Sequence, residues 1–271
     1  MGKRIGGDYV CDDEDRGKFE ADGYVHLSGV LSPEEIADIE KEYMKFIDRQ
    51  ILVEGRDFCD MSGDYSKPLS EFSIVNIMLP RKYHPTLKDN VYEKKAASIA
   101  AQLCGPDMVL DYDQLLAKPP GKADGIFGWH QDLAYWPITP DTTTASFWLA
   151  IDDSRTENGC IRFVPGTHLE RELRKHAPPF GDRDKSHLLT AELQEGDRVV
   201  PAEIKRGDVT VHHERILHGS GPNTSQSSWR RAYVMAFRRK STVEEERRRG
   251  FTHSHNDKME VLTSVGEGYN S

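Results

Sequence analysis

The segment GWHQDLAYWP, Gly128 to Pro137, sets an imidazole and a carboxylate two positions apart among aromatic side chains. In an extended chain residues i and i+2 share a face, so His130 and Asp132 can turn a ring nitrogen and a carboxylate oxygen toward one point. Two donors hold a metal poorly, and a third has to arrive from a distant segment. The stretch GDVTVHHERILHGSGPN offers His212, His213 and His218. Two histidines and one carboxylate cover one face of an octahedral Fe(II) and leave the opposite face open for chemistry. The pattern H-x-[DE] is weak alone, because it recurs at His168/Glu170, His212/Glu214 and His255/Asp257. His255 sits in a polar tail with no histidine downstream, His168 heads a long charged segment, and His212/Glu214 is at most a rearrangement of the same site. His130 and Asp132 lie between aromatic strands with a histidine far downstream, and are preferred.

Joining ligands from two remote segments needs a rigid scaffold. From Met108 onward, short apolar runs broken by turns (MVLDYDQLLA, ASFWLAID, CIRFVPG, RVVPAEI, DVTVHH, RRAYVMAF) predict antiparallel strands packed as a barrel or jelly roll. Asn158-Gly159 is a hairpin signal and Pro165-Gly166 a tight turn. Upstream, a strand around Tyr24 to Leu27 precedes a helix started by Ser32 as N-cap, Pro33 at the first position and Glu35 closing a capping box. Ile36, Ile39, Tyr43, Phe46, Ile47 and Ile51 recur at helical spacing and predict a buried packing face. Residues from about Asp57 to Lys67 read as an irregular loop, FSIVNIML as a strand, and roughly Thr86 to Leu103 as a second helix stopped at Gly105-Pro106. Residues 170–198 are charged, carry Pro-Pro and exceed any hairpin connection, which predicts a lid or a solvated loop. In EEERRR, Glu244 to Glu246 precede Arg247 to Arg249 by three positions, an ion-pair ladder on a solvated helix face. The expected organisation is one domain over 1–271, with mostly helical support at 1–105, a jelly-roll core at 106–240 holding the insertion 170–198, and a tail or helix at 241–271.

Composition narrows the class. With 37% hydrophobic residues in a chain of 271, a sizeable core is available. Asp+Glu 45 against Lys+Arg 36 gives a formal charge of -9, which argues against a basic face for nucleic acid. The four cysteines, Cys11, Cys59, Cys104 and Cys160, are scattered without C-x-x-C, so neither a zinc knuckle nor a disulfide framework is expected. The opening MGKRIGGDYV lacks a signal peptide's apolar core, and no run approaches the roughly 18 apolar residues of a membrane span. The closing GYNS is no peroxisomal address. A cytoplasmic protein, monomeric or weakly homo-oligomeric, acting on a small molecule and not on nucleic acid or membrane, is expected.

Four stretches in order, FEADGYVHLSGVLSPEEI, KPPGKADGIFGWHQDLAYWPITP, TENGCIRFVPGTH and GDVTVHHERILHGSGPN…WRRA, resemble the successive signatures of the phytanoyl-CoA hydroxylase family of Fe(II)/2-oxoglutarate dioxygenases, over roughly Phe19 to Arg238. The resemblance implies a mainly β fold with flanking helices, a cupin-like double-stranded β-helix. It implies Fe(II) held by His130, Asp132 and His218, with 2-oxoglutarate and O2 as co-substrates and His213 in a supporting or structural role. It points to Arg230 for the far carboxylate of 2-oxoglutarate, since a guanidinium fork makes two parallel charge-assisted hydrogen bonds. Adjacent strand residues face opposite ways, so Arg231 then points out; a register shift of one would exchange the two. Ser220, Gln114 and Trp148 match positions near the co-substrate, Trp148 being equally suited to strand packing. Asn76, Tyr135, Trp136 and Arg215, with Arg81 and Lys82, are candidates for the open substrate side, or else surface and packing residues. Their charge favours a small polar or anionic substrate, such as an amino-acid derivative or aminophosphonate, over a greasy one; an acyl thioester is the other class. The implied reaction hydroxylates a C–H bond and releases succinate and CO2. Halogenation or desaturation on the same scaffold, a zinc hydrolase and a non-catalytic binding module are the alternatives. Asp132 occupies the place a halide would need, and zinc hydrolysis leaves Arg230 without a purpose.

Overall fold

The computed structural model describes residues 2–179 and 181–263. A hairpin of β1 (Lys3–Ile5) and β2 (Asp8–Val10) leads into α1 (Asp13–Asp22), which Asp12 caps and Gly23 ends in the left-handed region at φ 79°. Then follow β3 (Tyr24–Leu27), α2 (Pro33–Ile47), β4 (Phe58–Asp60), β5 (Val75–Met78), α3 (Pro80–Tyr83) and α4 (Val91–Cys104). Strands dominate thereafter: β6 (Met108–Lys118), β7 (Phe127–His130), β8 (Thr144–Ala150), β9 (Ile161–Val164), β10 (Val200–Pro201), β11 (Val209–His212), β12 (Leu217–Ser220) and β13 (Arg230–Arg239). Helices α5 (Lys240–Arg248) and α6 (Met259–Thr263) close the described chain.

Seven strands form one sheet in the order β3-β11-β8-β13-β6-β5-β4, and four form a smaller one, β10-β9-β12-β7. All pairings within them are antiparallel, and the architecture is the jelly roll expected from the strand spacing. Alternation gives the large sheet two apolar faces. Phe147 and Leu149 of β8 and Tyr233, Met235 and Phe237 of β13 pack beneath Ile36, Tyr43 and Phe46 of α2 and Ile99 of α4. The intervening Trp148, Ala150, Ala232 and Val234 face the interior. The capping box of α2 forms as its sequence dictates, Glu35 N donating to Ser32 Oγ and Ser32 N to Glu35 Oε2.

Four local readings need correction. Phe58 to Asp60, expected to be irregular, pairs with β5, because three edge residues show no periodicity and only the partner strand defines them. The second helix starts at Val91, not near Thr86: Asn90 caps it by accepting from Glu93 N, Asp89 sits at φ 57°, and Pro85–Leu87 makes a separate 3-10 turn. Residues 1–105 also contribute β3, β4 and β5 to the large sheet. In EEERRR only Glu245 behaves as a surface ladder, pairing with Arg248 and Arg249; Glu246 is fully buried against Arg238. Part of the expected C-terminal tail, 264–271, lies outside the described residues. No described helix is long and apolar enough to cross a membrane, and the four cysteines are free.

Candidate active site

His130 ends β7 and lies directly opposite His218 of β12, so the two ligands proposed from segments 88 positions apart meet as a cross-strand pair. Asp132 follows in a 3-10 turn, where its carboxylate reaches between them. Oδ1 is 3.5 Å from His130 Nε2 and 3.4 Å from His218 Nε2. The three donor atoms lie within 4.8 Å of one another. His130 Nδ1 is 2.8 Å from Gly128 O and His218 Nδ1 3.0 Å from Ile216 O. A carbonyl only accepts, so both rings carry the proton on Nδ1 and turn the Nε2 lone pair toward the carboxylate. Burial works against charge on Asp132, yet its contacts with the surrounding imidazoles, the His212 Nε2–H donating to Oδ2 among them, hold the carboxyl well below its usual range. Burial also keeps His218 neutral. Two imidazoles and one carboxylate form a donor set that suits Fe(II).

The other oxygen of Asp132, Oδ2, is 3.3 Å from His212 Nε2 and 3.3 Å from Ser146 Oγ. His212 therefore supports the site, while of the supporting and structural roles expected of His213 the structure gives it the structural one. Strand alternation explains the division: Val209 and Val211 of β11 face the helices, so Thr210 and His212 face the interior. His213 instead packs near His168 and takes the Arg215 N–H on its Nδ1. Beneath the site, Glu214 meets Arg238 at 3.3 Å and accepts from Thr144 Oγ1.

The cavity over these residues encloses about 910 Å³ of empty space, including its mouth. Arg230 stands at one end, 2% exposed, with its guanidinium carbon 5.4 Å from the centre of the Trp148 ring. No described carboxylate pairs with it, and its buried Nε has no hydrogen-bond partner. A buried cation left so is costly unless a ligand anion completes it. Arg231 takes the opposite face, bound to Asp152 at 2.8 and 2.6 Å and to Glu40 of α2 at 2.5 Å. It is outward from the barrel yet covered by a helix. Ser220 lines the same end as Arg230, and Lys118 Nζ donates to Ser220 Oγ at 2.7 Å and Gly221 O at 2.5 Å. Gln114, Leu116 and Lys118 share a face of β6 by simple alternation.

Gln114, Trp148, Tyr135 and Trp136 line the cavity. Asn76 does not; it lies behind Gln114, accepting from its amide at 2.5 Å. Arg215 is spent on the carbonyls of His168, Glu170 and Arg171. Arg81 pairs with Glu93 and Asp113, and Lys82 with Asp57. The charged groups that favoured an anionic substrate thus sit elsewhere. Three histidines take their place in the wall: His187 from the insertion, and His253 and His255 from the chain after α5. His255, set aside as part of a polar tail, is 1% exposed, because Asp57 clamps its backbone N–H at 2.8 Å and the Ser254 hydroxyl at 2.8 Å.

The profile of the family described as Phytanoyl-CoA dioxygenase (PhyH) matches residues 19–232. The Danio rerio protein "Phytanoyl-CoA dioxygenase domain-containing protein 1" is 26% identical over 255 residues, covering 81% of this chain and 87% of its own. EvdO2 of Micromonospora carbonacea var. aurantiaca, solved in complex with 2-oxoglutarate, superposes with a TM-score of 0.68 at 28% identity, over 88% of this chain and 93% of that one. SnoN, an epimerase solved with Fe3+, alpha ketoglutarate and nogalamycin RO, gives a TM-score of 0.63 at 21% identity over 84% and 83%, a likeness of fold.

Proposed function

The chain belongs to the phytanoyl-CoA dioxygenase family, and from that premise we propose that His130, Asp132 and His218 hold one Fe(II), that Arg230 anchors 2-oxoglutarate beside it, and that the reaction is hydroxylation of a small molecule's C–H bond. The chain is a non-heme Fe(II)/2-oxoglutarate-dependent dioxygenase. The observation that carries the residue assignment is Arg230: a buried arginine without a carboxylate partner, in the cavity that also holds the histidine-aspartate cluster.

When bound, iron would activate O2, with 2-oxoglutarate giving two electrons as it becomes succinate and CO2 and the substrate C–H bond giving the other two as it gains a hydroxyl. The chain's own residues do the positioning. His130 and His218 are fixed by their Nδ1–H bonds to Gly128 O and Ile216 O, so the Nε2 lone pairs do not have to be oriented on loading. His212 and Ser146 hold Asp132 Oδ2 and leave Oδ1 for the metal. Arg230 presents its fork to the distal carboxylate, and Lys118, whose pKa burial and the nearby Arg230 push well below the usual lysine range, donates a hydrogen bond to Ser220. Aromatic side chains around the cluster keep bulk water out.

Asp132 argues against halogenation, and an unpaired Arg230 is unexplained by zinc hydrolysis. The test is an anaerobic titration of Fe(II) and 2-oxoglutarate followed by the visible charge-transfer band of the chelate, then succinate release in air. Metal binding without any 2-oxoglutarate-dependent band or succinate rejects the reading.

A further inference from the structure

The cavity is charged at one end only. Apart from Asp132 of the cluster and Arg230, no carboxylate, lysine or second arginine lines it among the described residues. Beyond the cluster from Arg230 the walls are aromatic. Tyr135 stands edge-on to His130 at 5.8 Å, and from it a stack runs outward, His187 at 5.1 Å from Tyr135 and His255 at 3.7 Å from His187, each inclined by 14°. Tyr112 and His253 stack at 4.3 Å, with Trp136 5.8 Å from Tyr112, and Met78, Phe251 and Leu262 complete this lobe.

Its imidazoles supply no free cation. His253 is held between Asp111 at 2.8 Å and Glu246 at 3.6 Å, so any charge it carries is already matched. Burial keeps His187 neutral and pushes His255 down to about 4. Arg183 lies behind Tyr135, 5.7 Å from the ring centre, and donates to Leu262 O rather than lining the cavity. An anion in this lobe would be buried without a partner, which is strongly unfavourable. His187 is the polar exception: no described group hydrogen-bonds its ring nitrogens, and a neutral imidazole offers one donor and one acceptor.

We infer that this lobe takes an uncharged, flat, ring-bearing substrate whose hydroxyl or carbonyl is read by His187; the inference rests on Arg230 serving the co-substrate. The walls converge on His130, so a ring stacked there is brought against the metal cluster.

Equilibrium dialysis of the full chain, loaded anaerobically with Mn(II) and 2-oxoglutarate, tests this with three probes of one shape: 2-naphthol, 2-naphthoate and naphthalene. Naphthol is expected to bind at least about tenfold tighter than naphthoate, since burying an unpaired charge is the dominant penalty. In His187→Leu naphthol falls about two- to tenfold, to the level of naphthalene, while naphthalene is unchanged, as loss of one hydrogen bond requires. His187→Gln restores part of the difference. Naphthoate binding as tightly as naphthol, no naphthol binding, displacement of naphthol by excess 2-oxoglutarate, or equal losses for naphthol and naphthalene in His187→Leu each overturn the inference. Calorimetry of 2-oxoglutarate on the same samples separates the two readings: absent co-substrate binding rejects the oxygenase site, whereas normal co-substrate binding without naphthol preference rejects the substrate class alone.

Discussion

His130 and His218 oppose each other across β7 and β12 with ring centroids 4.1 Å apart, each Nδ1 tied to the carbonyl two residues before it. The backbone ladder thus fixes both the separation and the tautomer of the two imidazoles. Purified protein is expected to take up one Fe(II) per chain. His130→Ala and His218→Ala should each abolish the anaerobic 2-oxoglutarate band; a band of normal intensity in either variant would show that the metal lies elsewhere.

His212 and His213 separate a supporting role from a packing role. His212→Leu removes a group 3.3 Å from Asp132 Oδ2, and loss of such a partner typically weakens metal affinity about 10–100-fold. His213→Leu should leave affinity unchanged, because its ring lies toward His168. Competitive metal titration compares the two.

Arg230 and Arg231 should fail in different assays. Arg230→Ala leaves the distal carboxylate without its fork, costing about 2–5 kcal/mol, or roughly 30- to several-thousand-fold in 2-oxoglutarate binding. Arg231→Ala spares that affinity but frees Asp152 and Glu40 under α2, lowering stability by about 1–3 kcal/mol. Calorimetry and thermal unfolding read the two losses; a stable Arg231→Ala with impaired 2-oxoglutarate binding would reverse the assignment.

Acid should loosen the insertion. His176 accepts the Gln131 N–H on Nε2 at 3.0 Å, and burial pushes its pKa down to about 4 from 6.5. The unfolded chain takes up the proton first as pH falls, so this stabilisation is complete above about 6.5 and is lost toward about 4. His213, pushed to about 4 by burial, works in the same direction. The unfolding midpoint should drop across this window, with a shallower dependence in His176→Gln. A midpoint flat from pH 7 to 5 in both proteins would reject this origin.

Residues 170–198 are pinned at both ends. Arg174 binds Asp197 and Glu170, and the Tyr135 hydroxyl takes the Leu189 N–H while donating to Leu189 O. We expect trypsin to cut this segment at the exposed tip, after Lys185, and to spare Arg174. Closure of a whole lid would instead appear as cleavage at Arg174 that substrate and cofactor suppress.

What the sequence alone determined was whatever depends on periodicity and close neighbours. Alternation placed Arg230 and Arg231 on opposite faces, Ser32, Pro33 and Glu35 set the start of α2, and HQD with a remote histidine announced the cluster of His130, Asp132 and His218. The same alternation turns His212 and Lys118 to the interior as well. Only the tertiary structure decided what fills the rest of the cavity. His187 and His255 stack across 68 positions of chain, and Asp57 holds His255 in place from 198 positions away. Arg215, Arg81 and Lys82 looked available because a charge in a sequence does not show its counterion. Contacts between distant segments depend on how the sheets close and which loops cover their mouth, and no local pattern of side chains encodes that.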